Sequence, residues 1–135
     1  MDGVIITPLK KVLNKDGDIF HGMKKTDNGF DGFGEAYFSS INKGSIKGWK
    51  KHTQMTLNIV VPIGAINFVI YNDLNGDFFS VELSQKNYQR LTIKSGYWLA
   101  FKGIGENNIL LNLASIEHDP EEVIKVELNK ILYDW

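Results

Sequence analysis

The sequence predicts an all-β chain with little or no helix, folded as an antiparallel sandwich or barrel. Apolar and more polar residues alternate with period two in several segments, most clearly from Met55 to Val61. Turn-forming residues recur at intervals of about ten residues, which is typical of antiparallel all-β folds. The Asn75-Gly76 pair lies between two of these segments and is a strong hairpin signal.

The first half of the chain contains short extended segments separated by turns. Two short apolar segments, Val4–Ile6 and Lys11–Leu13, precede a polar turn, and Ile19–Met23 follows it. The segment Thr26–Gly34 is rich in glycine, which disfavours a helix and predicts a loop. The remaining strands predicted in this half are Glu35–Ile41, Lys47–Gln54 and Met55–Val61.

In the second half, Pro62-Ile63-Gly64 predicts a tight turn, with Ala65–Asn72 as the hairpin partner of the preceding strand. Only the tail, Pro120–Leu132, carries helix start signals, with Asp119 as N-cap and a proline at the first helical position. Its apolar residues fit neither the helical nor the strand period, so we expect no more than a turn. The other predicted strands are Phe78–Leu83, Tyr88–Lys94, Tyr97–Lys102 and Ile109–Ser115.

Composition indicates one packed domain spanning residues 1–135, because 43% of the residues are apolar and 12% are aromatic. The formal net charge of −1 argues against nucleic acid or an anionic membrane as a partner. Cysteine is absent, which excludes disulfides and thiolate chemistry and is typical of a cytoplasmic protein. The N-terminus has no basic segment followed by a long apolar one, so no signal peptide is predicted.

The segment Lys47–His52 places four cationic or titratable side chains on one predicted strand. Residues two apart on a strand point to the same side, so Lys50 and His52 are expected to share a face. Histidine titrates near neutral pH and suits a general base, and a neighbouring lysine supplies positive charge. An isolated histidine on a strand is more often an ordinary surface residue, so the segment alone leaves both interpretations open.

Several short motifs resemble the dTDP-4-dehydrorhamnose 3,5-epimerase family. They are Gly3–Pro8 followed by Asp16–Phe20, and later Gln89–Phe101. The central strand is similar to the related dTDP-4-keto-6-deoxyhexose 3,4-ketoisomerases, whose pattern R-G-x-H-x-H lies twelve residues before a glycine. Here Lys47–His52 stands twelve residues before Gly64. The resemblance implies a single cupin domain with a jelly-roll fold, and a homodimer.

The chain departs from the family pattern at three positions. Lys50 stands in place of the first histidine, the general base of the epimerases, whereas His52 matches the second histidine of the ketoisomerases. Lys47 replaces an arginine and keeps its charge without the bidentate fork that binds phosphate. Leu99 stands where the epimerase pattern has histidine.

The resemblance implies an enzyme, an epimerase or isomerase of a nucleotide-linked 4-keto-6-deoxy sugar, in the biosynthesis of surface polysaccharide such as lipopolysaccharide. A base removes the proton next to the carbonyl, and a cation stabilises the enediolate that results. We assign His52 as the base and Lys50 as the cation. Tyr97 is the third catalytic candidate, as a proton donor, and Tyr71 and Tyr88 are alternatives for that role.

Four residues are expected to bind the substrate. Lys47 is assigned to the diphosphate, and Trp49, Trp98 and Tyr71 are assigned to the sugar or the nucleotide base. No metal and no other cofactor is expected, because His52 has neither an adjacent histidine nor a glutamate shortly after it. The expected partners are therefore a nucleotide sugar and a second copy of the chain.

Two other functions remain open from the sequence. A sugar-nucleotide-binding cupin that lost catalysis together with the first histidine would retain the fold and the ligand. A structural or interaction module would instead fill the jelly-roll cavity with its own side chains. The position of Lys50 and His52 relative to a cavity distinguishes the last of these from the others.

Overall fold

The computed structural model describes residues 1–135 and contains twelve β-strands and two 3-10 turns. The predicted all-β class with little or no helix is confirmed. The strands are β1 (Val4–Pro8), β2 (Lys11–Val12), β3 (Ile19–Phe20), β4 (Glu35–Asn42), β5 (Ile46–His52), β6 (Leu57–Ile63), β7 (Ala65–Asn72), β8 (Asp77–Ser84), β9 (Gln89–Ile93), β10 (Trp98–Gly103), β11 (Asn107–Ala114) and β12 (Val123–Lys125). The 3-10 turns are Pro120–Glu122 and Leu128–Lys130.

Two five-stranded antiparallel sheets face each other, as expected for a jelly-roll sandwich. The first sheet has the strand order β1-β9-β6-β11-β4, and the second has the order β12-β5-β10-β7-β8. The short strands β2 and β3 form a separate ribbon. Most neighbours within a sheet are distant in sequence, so the chain crosses repeatedly between the two layers.

The core between the sheets follows from the period-two pattern. On β6, Leu57 and Ile59 point into the core, and on β7, Phe68 and Ile70 point into it from the opposite sheet. These four side chains are at most 4% exposed. Full burial of an aliphatic or aromatic side chain of this size stabilises the fold by about 1.5–3 kcal/mol. The alternation in the sequence therefore identified the faces that hold the two sheets together.

The connection between β6 and β7 differs from the prediction. We expected these strands to pair as a hairpin, but β6 pairs with β9 and β11, whereas β7 pairs with β8 and β10. The strand also continues through Pro62, and only Gly64, with φ of +80°, separates β6 from β7. This glycine turns the chain from one sheet to the other. The hairpin predicted from Asn75-Gly76 does join β7 and β8.

The tail packs along β5 on its way to the C-terminus. The side chain of Asp119 accepts a hydrogen bond from the backbone N–H of Glu121 at 3.0 Å, as predicted for an N-cap. The following strand, β12, pairs with β5 and was not predicted, because it is only three residues long. On the side of β5 away from the other sheet, the indole Nε1 of Trp49 donates to the backbone oxygen of Ile131 at 3.2 Å.

The helical content consists of two short 3-10 turns, and neither has the length or the apolar character of a membrane-spanning helix.

A β-bulge in β5 decides which of its side chains share a face. Lys50 lies opposite Leu99, but Lys47, three residues earlier, lies opposite Phe101, only two residues later on β10. Two residues of β5 therefore oppose the single residue Ala100 between them. The extra residue reverses the alternation, so that Lys47, Lys50 and His52 face one side.

We predict that Gly48→Ala destabilises the protein by about 1–3 kcal/mol. A Cβ at Gly48 would lie 2.3 Å from the Cβ and 2.8 Å from the backbone Cα of Ala100, so a strand must shift. Urea unfolding at neutral pH measures the free energy of unfolding. The matched control is Gly22→Ala, since a Cβ there meets only a side-chain atom of Leu113 at 4.0 Å. Equal stability of the two variants would contradict the close approach of β5 and β10.

Candidate active site

A cavity of about 190 Å³ lies between the two sheets. It is lined by β4, β6 and β11 of the first sheet and by β5, β10 and β12 of the second. Part of the wall is apolar and is formed by Met55, Leu57, Ile59, Leu99, Phe101 and Leu110. The polar part includes Lys47, Lys50, His52, Lys125, Tyr37 and His118. The cavity therefore combines a water-excluding wall with a set of titratable groups.

His52 forms a hydrogen-bonded pair with Glu122 at this cavity. Nδ1 of the imidazole donates to Oε1 of the carboxylate, which is an acceptor when ionised. The side chains are 14% and 1% exposed, respectively. Because the carboxylate holds the proton on Nδ1, the neutral ring keeps its lone pair on Nε2. A histidine fixed in this tautomer has the arrangement of a general base.

The Glu122 carboxylate also accepts bonds from the strand end that follows His52. Its Oε2 accepts from the backbone N–H groups of Gln54 and Met55, both at 3.1 Å. Burial raises the pKa of Glu122, but the hydrogen bonds from His52 and from these two N–H groups outweigh it and hold the pKa below its usual value. The group is therefore a carboxylate at neutral pH.

Three lysines on the cavity wall have no carboxylate partner. Lys47 Nζ bonds only to the backbone oxygen of Ser40 at 2.6 Å, and the ammonium groups of Lys50 and Lys125 make no hydrogen bond or ion pair within the chain. Partial burial, followed by the charges of Lys125 and Lys47, lowers the pKa of Lys50. Three like charges that face one cavity without a counter-charge suit an anionic ligand.

The structure brings three of the seven predicted site residues together. Lys47, Lys50 and His52 all line the cavity, and Lys50 and His52 share a face as expected. A cavity filled by side chains, the arrangement that the alternative of a purely structural module requires, is not found beside His52.

The four predicted aromatic residues do not line this cavity. The hydroxyl of Tyr97 accepts from the backbone N–H of Gly3 at 3.0 Å, which ties down the N-terminal segment. Trp49 is fully buried behind β5, and Trp98 donates from Nε1 to Asp73. Tyr71 belongs to the same rear cluster. Trp49 does not reach the cavity because its position on β5 directs its side chain away from Lys50 and His52.

Sequence reasoning missed the other polar residues of the site. Tyr37, Ser39, Asn112, His118 and Lys125 line the cavity, and Glu122 orients His52. Glu122 lies 70 residues from its partner in sequence, so no local pattern connects the two. In the sequence, its position in the first turn of the tail marks it only as an acidic residue at a helix start.

Comparisons with known proteins give a consistent set of relatives. No protein-family model matches the chain. It is 30% identical over 111 residues to "Probable low-salt glycan biosynthesis epimerase Agl13" of Haloferax volcanii, in a match that covers 74% of this chain and 71% of that protein.

Two solved structures have the same fold. A dTDP sugar isomerase from Desulfovibrio desulfuricans G20 superposes with a TM-score of 0.93 at 26% identity, covering 99% of this chain and 91% of that one. The 3,4-ketoisomerase QdtA from Thermoanaerobacterium thermosaccharolyticum, in complex with TDP-4-keto-6-deoxyglucose, superposes with a TM-score of 0.80 at 21% identity. That match covers 92% of this chain and 88% of the ketoisomerase.

We predict that Glu122→Gln lowers the free energy of unfolding at pH 7 by about 1–3 kcal/mol, because a buried charged acceptor is lost. The folded-state pKa of Glu122 lies below 4.5, so its stabilisation is complete above 4.5 and is lost as the pH falls through the lowered value. The stability difference between wild type and variant should therefore shrink on acidification.

Urea unfolding at neutral pH and at about pH 3 measures this difference. Glu121→Gln is the matched control, since that neighbouring side chain is exposed and bonds to nothing. A difference that stays constant between the two pH values would contradict the assigned ionisation of Glu122.

Proposed function

Because this chain belongs to the family of sugar-nucleotide epimerases and 3,4-ketoisomerases, we propose that it epimerises or isomerises a nucleotide-linked 4-keto-6-deoxy sugar. The reaction begins with removal of the proton on a carbon next to the carbonyl. The observation that carries the proposal is the pairing of His52 with Glu122 at a cavity that also presents unpaired lysines. This arrangement supplies both a base and positive charge for the enediolate.

In the proposed mechanism, Nε2 of His52 takes the proton from the carbon beside the carbonyl. The electron pair of the broken C–H bond forms a C=C bond, and the carbonyl π electrons move to the oxygen. Glu122 keeps the imidazole in the required tautomer and stabilises the imidazolium that forms, as an orienting carboxylate does in other base-catalysed sites. The apolar wall excludes water and so strengthens each of these interactions.

The lysines divide between the two negative groups of the substrate. Lys50 lies on the same face of β5 as His52, so we assign it to the oxygen of the enediolate. Lys47 and Lys125 flank Lys50 and are assigned to the diphosphate of the nucleotide. Two lysines give the diphosphate charge compensation without the bidentate geometry of an arginine.

This arrangement favours an enzyme over the non-catalytic alternative. A binding protein that had lost catalysis would not need a histidine that a carboxylate holds in the tautomer of a base. The replacement of the first histidine by Lys50 removes one candidate base but leaves the histidine that Glu122 orients. The retained base is therefore the second histidine of the strand pattern.

The same relatives support a proposal for the biological setting. We propose that the chain, as a single cupin domain over residues 1–135, acts in the cytoplasm in the biosynthesis of a surface glycan such as lipopolysaccharide. The proposed chemistry needs no metal and no other cofactor, because the base and the charge come from His52 and Lys50. Nucleic acid and membrane are not among the proposed partners.

We also propose a homodimer. Edge strands β1 and β4 of the first sheet leave backbone groups unpaired, and its outer face carries Phe38 at 71% exposure and Ile63 at 46%. Edges and apolar faces of this kind are usually covered in solution. Light scattering at micromolar concentration is expected to give twice the chain mass, and a monomer would contradict the proposal.

We predict that the protein incorporates deuterium next to the carbonyl of a dTDP-linked 4-keto-6-deoxy sugar in deuterium oxide. The His52→Asn variant should lose about 10²–10⁴-fold of the exchange rate, the usual contribution of a positioned general base. Nuclear magnetic resonance of the recovered sugar measures the label and its position. Label at C4 of a sugar whose ketone has moved to C3 identifies a ketoisomerase, and label at C3, or at both C3 and C5, of a 4-keto product identifies an epimerase. Unchanged exchange in His52→Asn would refute the assigned base.

The lysines are tested in the same assay. Lys50→Met should lower the exchange rate at saturating substrate, because it removes charge from beside the enediolate, whereas Lys47→Met and Lys125→Met should chiefly raise KM. The matched control is Lys51→Met, on the same strand but paired with Asp73 outside the cavity at 2.8 Å. It should exchange at the wild-type rate.

A further inference from the structure

Lys50 lies at the cavity without an acidic neighbour. It is placed on β5 between β12 and β10, where its register partners are Lys125 and Leu99. No Asp or Glu is among the residues that line the cavity, and the carboxylate of Glu122 is already bonded to His52 and to two backbone N–H groups. The Lys50 ammonium makes no hydrogen bond or ion pair within the chain. No acceptor therefore holds the proton on its nitrogen.

The surroundings of Lys50 favour its neutral amine over the ammonium form. Burial, followed by the charges of Lys125 and Lys47, lowers the pKa of Lys50. Leu99, which lies directly opposite Lys50 on β10, belongs to the apolar part of the cavity wall. An amine beside other cations and an apolar wall is the type of lysine that forms Schiff bases with carbonyl substrates. The neutral form is needed because an ammonium has no lone pair to attack a carbonyl carbon.

Lys50 is also better placed for the reacting carbons than the other two lysines. It precedes His52 by two positions on β5, so the two side chains leave the same face at backbone positions roughly 6.6 Å apart. Lys125 instead lies on the neighbouring strand β12, and Nζ of Lys47 is bonded to the backbone oxygen of Ser40 at 2.6 Å. An amine on the carbonyl carbon and an imidazole directed at the next carbon require neighbours of this kind.

We propose that Lys50 is a nucleophile that forms a Schiff base with the C4 ketone of the nucleotide-linked sugar. The inference rests on the proposed function, and it replaces the contact between the Lys50 charge and the enediolate oxygen by a covalent bond. The neutral amine adds to the carbonyl carbon. The carbonyl oxygen takes one proton from the amine and one from solvent and leaves as water, so that a protonated imine remains.

The protonated imine then accepts the electrons that the base sets free. His52 removes the proton from the carbon beside C4, the C–H electron pair forms a C=C bond, and the π electrons of the imine move to nitrogen to give a neutral enamine. A proton that returns to the carbon from the other side of the ring inverts it and restores the protonated imine. Addition of water then releases the ketone, the free amine and one proton, so that atoms and charge balance.

The covalent bond to C4 restricts the class of product. Movement of the ketone to C3 would place a hydrogen on C4, and the C4–N bond would then be that of a stable amine. Water cannot hydrolyse such an amine, so the sugar would stay attached to the protein. A catalytic cycle through the Schiff base therefore releases a 4-keto sugar with an inverted centre beside the carbonyl, which is the product of an epimerase.

The first test is to incubate the protein with the dTDP-linked 4-keto-6-deoxy sugar and sodium cyanoborohydride, which reduces a protonated imine in preference to a ketone. Reduction fixes the sugar nucleotide on the nitrogen, and mass spectrometry of the intact protein and of its peptides locates it. We expect one sugar nucleotide per chain, on Lys50, and none on the Lys50→Arg variant. An adduct on Lys47 or Lys125 instead, or no adduct in a protein that exchanges deuterium, overturns the proposal.

The second test separates the covalent role of Lys50 from a purely electrostatic one. Lys50→Arg keeps the positive charge but has no amine to form an imine, so its deuterium exchange should fall as far as that of Lys50→Met. The matched control is Lys51→Arg, whose lysine pairs with Asp73 outside the cavity at 2.8 Å and whose exchange should match wild type. Thermal melting of each variant is compared with that of wild type.

The outcomes distinguish the Schiff base from the proposed function on which it rests. Exchange retained in Lys50→Arg, or release of a sugar with its ketone at C3, overturns the Schiff base and leaves proton abstraction by His52 in place. A wild-type protein that incorporates no label overturns the proposed function itself.

Discussion

The attachment of the tail to β5 through Glu122 is the contact on which the site depends. The backbone oxygen of this residue accepts from the N–H and the hydroxyl of Thr53, both at 2.8 Å, and its carboxylate accepts from His52, Gln54 and Met55. One buried residue thus satisfies the donors of four consecutive positions at the end of β5. Buried donors without acceptors cost about 1–3 kcal/mol each, so the strand end and the tail order together.

The same strand is also held from behind. Trp49 fills the space between β5 and the tail, and its indole bonds to the backbone of Ile131. The bulge opposite Ala100 then turns Lys47 toward the cavity. The strand therefore presents two lysines and a histidine on one face and a buried tryptophan on the other, and packing on both faces keeps its backbone in place.

Periodicity and turn chemistry predicted most of the strands and the common face of Lys50 and His52, because both depend on local sequence. The failures lie where distant parts of the chain meet. Gly64 reads as a hairpin turn but carries the chain between sheets, and Glu122 reads as an isolated acid because its partner is 70 residues away. Trp49 was expected to contact the substrate because of its residue type. Since neighbouring residues on a strand point to opposite faces, its place next to Lys50 directs it away from the cavity.

The three unpaired lysines also affect the stability of the empty protein. Burial, followed by the repulsion of Lys125 and Lys47, lowers the pKa of Lys50, and an anionic ligand would remove the repulsive part of this free-energy cost. Ligand binding and folding are therefore linked, and the melting temperature should rise with the occupancy of the cavity. Screening by salt weakens both the repulsion and the attraction, so part of the substrate affinity is set by the ionic strength around the enzyme.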